Sequence, residues 1–133
     1  MNKISFFFIL FVFQLVFSQK SIKFEESNFA SILAKAKTEK KLVFMDAYAS
    51  WCGPCKLMEK NVFTDENVAD FYNKNFINVR IDMEKGEGKE LAMKYGVRSY
   101  PTFLFLNAEG EIVGKELGYI KSEEFLELGK KNN

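Results

Sequence analysis

Leu42-Val43-Phe44-Met45-Asp46-Ala47-Tyr48-Ala49-Ser50-Trp51-Cys52-Gly53-Pro54-Cys55-Lys56 is the stretch on which the fold turns. Residues 42–48 form a short, nearly unbroken apolar run, the mark of a central strand covered on both faces. Residues 52–62 then take on a helical pattern, with Cys55, Met58 and Val62 along one side. The two cysteines therefore stand at i and i+3, where a strand gives way to a helix. That spacing brings their side chains together on one helical face. It also keeps the Cα atoms within the separation a disulfide accepts, so the pair can close and open without rebuilding the backbone. Pro54 is tolerated in the first turn, where its missing N–H has no helical partner. Cys52 falls at the helix N-terminus, where free amides and the dipole favour thiolate over thiol.

On the residues alone, two other readings of the pair stay open: an inert disulfide, or half of a metal or cluster site shared between two chains. A structural staple is the weaker explanation, because so small a loop gains little from closure. The chain has two Cys and no His. A single-chain tetrahedral zinc site needs four such ligands, and a His-based triad or general base is excluded. No metal and no bound cofactor is expected. In the redox reading, Cys52 attacks a substrate disulfide as thiolate, and Cys55, one turn deeper, resolves the mixed disulfide. Trp51 and Gly53 form the rim, one apolar for docking and the other small enough for close backbone approach.

Outward from this centre the chain alternates helices and strands. Phe29, Ile32, Leu33 and Ala36 recur at helical spacing, which predicts an amphipathic helix over 27–39 with Ser27 as N-cap. Thr64, Asp65 and Glu66 mark a fresh helix start, with acids at the positive end of the dipole. Residues 76–82 alternate as a second strand, and 84–88 is a charged loop. A short helix over 89–95 follows, which Gly96 can end. Residues 102–106 and 111–117 flank the turn signal Asn107-Ala108-Glu109-Gly110, giving a hairpin, in which Phe103 and Phe105 are core residues. Ser122-Glu123-Glu124 caps a last helix reaching about Lys130. The order is α-β-α-β-α-β-β-α, an α/β domain with a central mixed sheet flanked by helices on both faces.

The first residues differ in kind. Six of the 15 Phe lie between Phe6 and Phe17, after Lys3 and before the small Ser18. A basic start, an apolar run and a small exit residue form a secretory leader, so residues 1–18 are expected to be a cleaved signal peptide and 19–133 the mature domain. A retained membrane anchor is the alternative, but the run over 4–17 falls short of the ~20 residues a spanning helix needs. The whole chain carries 19 Lys/Arg against 18 Asp/Glu, and loss of the leader removes Lys3 and balances the two signs. Such a domain offers neither nucleic acid nor an anionic membrane surface an electrostatic footing. The mature part reads as a single domain without repeats, and the protein is expected to be a monomer.

Trp51-Cys52-Gly53-Pro54-Cys55-Lys56 resembles the signature of thioredoxin, and the likeness runs over roughly residues 24–130. Asp46, six residues before Cys52, is similar to the family's buried aspartate. Tyr100-Pro101-Thr102 resembles the segment that holds its cis-proline, and Gly118 the glycine of its substrate-docking surface. The long first helix and residues 59–65 look closer to exported thioredoxin-like proteins and to the C-terminal periplasmic domain of transmembrane electron-transfer reductases. The resemblance implies a thioredoxin fold and catalysis by Cys52, Cys55, Asp46 and Pro101. Substrate would dock on Trp51, Gly53, Pro54, Tyr100 and Gly118.

Two positions depart from that pattern. Aligned on Asp82, Asn78 stands where thioredoxins carry a lysine near the aspartate, so the partner charge is expected to be missing. Tyr100 replaces a small or β-branched residue and is expected to face the sulfurs and tune docking. The implied activity is thiol–disulfide exchange on protein disulfides in the periplasm, as a reductase fed by a membrane thiol-reductase. Oxidation or isomerisation by the same cysteines is the runner-up, and a non-enzymatic binding module is a third reading.

Overall fold

The computed structural model describes residues 20–133; the leader read at 1–18 lies outside them. Nine elements follow in order: α1 (Phe29–Glu39), β1 (Leu42–Tyr48), α2 (Gly53–Asn61), α3 (Glu66–Asn75), β2 (Phe76–Asp82), α4 (Gly88–Tyr95), β3 (Thr102–Leu106), β4 (Ile112–Leu117) and α5 (Ser122–Lys131). The strands lie in the order β2-β1-β3-β4. β1 runs parallel to β2, with Asp46 opposite Arg80, and antiparallel to β3, with Asp46 opposite Phe103. β3 and β4 form the hairpin, whose register shifts at Phe105/Leu106.

Alternation along the strands divides the core in two. Val43, Met45, Ala47, Ile77, Val79, Leu104 and Leu106 pack against α1 and α4 in a mainly aliphatic half. Phe44, Phe76, Phe103 and Phe105 meet Met58, Tyr72 and Phe125 from α2, α3 and α5, with Val62 just past the end of α2, in an aromatic half. Tyr72 stacks on Phe125 at 4.5 Å between ring centroids and donates its hydroxyl to the Phe125 carbonyl. α5 comes this close because residue 129 is glycine; a Cβ there would sit 2.7 Å from the Tyr72 ring. The mixed sheet with helices on both faces, and the core placement of Phe103 and Phe105, are as the sequence predicts.

The differences lie at helix ends. Asn28, not Ser27, caps α1, accepting from the Ser31 amide at 2.8 Å. Both are good N-caps, and the neighbour whose side chain reaches the third residue of the turn takes the role. At α5 the N-cap is Lys121, without a side-chain bond, because the Ser122 hydroxyl instead donates to the Asn61 carbonyl. Between β1 and β2 there are two helices where the predicted element order counts one. Asp65 caps the second by accepting from the Asn67 and Val68 amides.

Candidate functional site

Cys52 and Cys55 form a disulfide, with Cα atoms 5.3 Å apart. Cys52 is the N-cap of α2, and its sulfur accepts from the Cys55 amide at 3.1 Å. The turn after β1, in which the Cys52 amide donates to the Ala49 carbonyl at 3.2 Å, places one sulfur, and the first turn of α2 places the other. The free amides of that turn stabilise negative charge on Cys52 when the bond opens. In the closed form Cys52 is 2% and Cys55 1% exposed. Burial therefore does not distinguish the two sulfurs; they differ in that Cys52 holds the N-cap position.

Tyr100 packs, half-buried, against the cluster of Ala49, Cys52 and Cys55. The Tyr100–Pro101 bond is cis, and the Thr102 hydroxyl donates to the Ser99 carbonyl across this bend. Gly118 ends β4 at φ 83°, a conformation that favours glycine, and its amide donates to the Pro101 carbonyl at 2.8 Å. Pro101 and Gly118 are thereby joined, next in the chain to the Tyr100 that packs on the cysteines. Gly53 and Pro54 are exposed, and a Cβ at Gly53 would meet nothing within 4 Å. Trp51 is 65% exposed on the rim, its ring at 77° to the Tyr100 ring with centroids 5.8 Å apart.

Asp46 is fully buried. Burial pushes its carboxyl up to about 6, against the pull of the Arg80 guanidinium and its hydrogen bond, with Glu59 adding a smaller push upward. The expectation of a missing partner charge is corrected here. Arg80 Nε donates to Asp46 Oδ2 at 2.7 Å, and its Nη1 donates to Glu59 on α2 at 2.8 Å. The guanidinium lies over the Tyr48 ring, 4.1 Å from its centroid. Parallel register places Arg80 directly opposite Asp46, so the cation arrives two residues beyond the aligned position. Asn78 does other work: its side-chain amide donates to the Tyr72 and Phe76 carbonyls at the end of α3. Glu59 and Cys55, four apart on α2, share one side of that helix. Asp46 Oδ1 and Arg80 Nη2 are buried without a protein partner among the described residues.

Sequence reasoning missed Arg80 and Glu84. Glu84, in the loop after β2, accepts from the Trp51 indole N–H at 2.7 Å. Period-two alternation could have put Arg80 on the face of Asn78, but nothing in the sequence announces the Trp51–Glu84 bond. No group of three or more Cys, Asp or Glu side chains among the described residues is placed to hold a metal ion.

A disulfide at a helix N-terminus, packed by the residue that precedes a cis-proline, defines a redox-capable dithiol domain of the α/β class. Residues 29–133 match the family model described as "Thioredoxin-like domain", and the chain belongs to that family. It is 47% identical over 66 residues to thioredoxin-1 of Drosophila melanogaster, half of this chain and 57% of that protein. The chain thus matches little more than half the length of that relative. A solved structure of a proposed disulphide-isomerase from Bacteroides thetaiotaomicron is 46% identical, with TM-score 0.75, covering 86% of this chain and 97% of that one. The oxidised DsbD C-terminal domain of Neisseria meningitidis shares the fold, with TM-score 0.66 at 24% identity over 78% of this chain and 91% of its own.

Proposed function

We propose that this protein is an exported, monomeric protein-disulfide reductase working through a Cys52/Cys55 dithiol–disulfide cycle. The observation that carries the reading is the Cys52–Cys55 disulfide at the N-terminus of α2, beside the cis Tyr100–Pro101 bond. The Cys52 thiolate attacks one sulfur of a substrate disulfide, and the other leaves as thiolate and takes up a proton. Cys55 passes its proton to Asp46 and attacks Cys52 Sγ, which closes the protein's own disulfide and frees the second substrate thiol. Two electrons have then moved to the substrate. A membrane-bound dithiol donor returns them, since an oxidising compartment supplies none.

Gly53-Pro54 between the cysteines supports the reducing direction. Thioredoxin, with the same pair of residues there, has a reduction potential of about −270 mV, against about −120 mV for the strong oxidant DsbA. The 46% identity to a proposed disulphide-isomerase favours the second reading, oxidation or isomerisation by the same pair. Titration against a glutathione buffer separates them: the reductase reading expects a potential near thioredoxin's, and one near DsbA's overturns it. Trapping in the native cell tests the order of attack. Cys55→Ser should accumulate mixed disulfides through Cys52 and Cys52→Ser few; equal trapping overturns the assignment. N-terminal sequencing of the mature protein tests export, with a start at Gln19 expected.

A further inference from the structure

The rim beside the disulfide combines two features with no role in electron transfer. Trp51 and Tyr100 stand edge to face, and Glu84 holds the Trp51 indole by its N–H. Most of the Trp51 ring is open to solvent. Asp82 lies alongside, accepting from the Glu84 amide at 2.9 Å. Lys85 approaches Asp82 at 3.8 Å and offsets its charge, whereas Glu84 has no ion-pair partner among the described residues. Glu84 and Asp82 both push the Tyr100 hydroxyl upward in pKa, behind the larger effect of its partial burial. Their field therefore reaches the residue that packs on the sulfurs.

Two aromatic rings edged by an unpaired carboxylate are the chemistry that receives a cation. Ammonium and guanidinium groups are drawn to ring faces, to indole most of all. A carboxylate at the edge adds direct attraction.

We propose that Glu84 is a positioning and specificity-determining residue: it holds Trp51 against Tyr100 and selects substrate polypeptides with a Lys or Arg next to the cysteine under attack. This rests on the thiol–disulfide exchange proposed above. Because Glu84 lies on the rim, its charge acts on substrate docking and leaves the order of sulfur attack unaltered.

Trp51 is the chain's single tryptophan, so its emission reports this corner alone. The test uses the oxidised full mature chain with peptides of sequence Lys-Ser-Lys or Glu-Ser-Glu, binding being read from Trp51 emission. The dithiothreitol-reduced chain is then assayed with the matching Lys-Cys-Lys and Glu-Cys-Glu disulfides, and with 2-hydroxyethyl disulfide as a neutral substrate. The lysine peptides should be favoured about fivefold, the scale of one exposed charge pair. The preference should lie in KM rather than kcat and collapse in 0.5 M NaCl. Glu84→Gln keeps an oxygen for the indole N–H, so it should retain the wild-type emission maximum and lose the preference. Glu84→Ala should shift the emission as well. Equal constants for the two peptides, or a preference that survives Glu84→Gln, overturns the proposal. Failure to reduce even the neutral disulfide, with the Ser peptides still discriminated, overturns the exchange reading and leaves the docking preference standing.

Discussion

The two faces of the sheet come from the same strands, one residue out of step, and they bury different things. Val43, Met45, Leu104 and Leu106 give α1 and α4 a half-core lined mainly by aliphatic side chains. Their alternates Phe44, Phe103 and Phe105 build an aromatic half-core under α2, α3 and α5. Among the described residues the second face also takes in an ion pair, buried Asp46 with partly buried Arg80, and carries it through Glu59 to the helix that bears Cys55. The aliphatic face needs only to exclude water. The aromatic face must also hold a carboxylate whose charge burial disfavours, and the rings of Tyr48, Phe24 and Phe63 lie 4.1–6.0 Å from the guanidinium of its Arg80 partner. The pleat of one sheet thus separates a face that only packs from a face that packs and also holds a buried carboxylate.

Three changes test that separation. Phe44 touches Tyr72, Phe103, Phe105 and Phe125, with centroids 4.9–5.9 Å away. Phe44→Ala should lower unfolding stability by ~3–5 kcal/mol in a urea titration followed by circular dichroism. That is a large part of the ~5–15 kcal/mol typical of a domain. A loss under ~1 kcal/mol would mean that the aromatic half collapses around the hole.

Asp46 comes next. Its folded-state carboxyl sits at about 6, above its ordinary 3.8, so the folded protein keeps a proton that the unfolded chain has released. The stabilisation is full below pH 3.8 and is lost as pH rises through about 6. The whole difference is ~3 kcal/mol. The wild-type urea midpoint should fall across that window, and Asp46→Asn should remove the fall. A flat wild-type profile would show that Arg80 fully offsets burial and that the two faces do not differ in charge behaviour.

Ile32→Val is the smallest change, on the aliphatic face where Ile32 is fully buried. It should lower stability by ~0.5–1.5 kcal/mol, equally at all pH values, with disulfide-exchange rates unchanged. A pH-dependent effect would show that the faces communicate through the sheet.

The sequence made the strands legible because apolar runs and alternation are local. The expected bounds of β1 and β2 match the observed strands. The cysteine junction was equally readable, since a motif six residues long contains its own geometry. The Asp46–Arg80 pair was not, because it joins residues 34 apart through a parallel register that no local pattern states. Alignment on Asp82 led to Asn78 and to a missing charge; the pleat instead presents Arg80, on the same face two residues on. Glu84 was hidden in a charged loop, where one carboxylate looks like the next until an indole is found against it. The caps at Asn28 and Lys121 turn on which of two adjacent residues closes a turn, a contest decided by tertiary neighbours.

β4 is an edge strand with Ile112, Val113 and Leu117 exposed. An edge of this kind is a template on which an extended chain can pair. The register shift at Phe105/Leu106 interrupts the regular ladder beside it, and Lys115 and Glu116 place opposite charges along the strand. Both are devices that discourage edge-to-edge growth. The irregularity that looks like a flaw in the hairpin thus leaves the exposed edge a poorer template for a further strand.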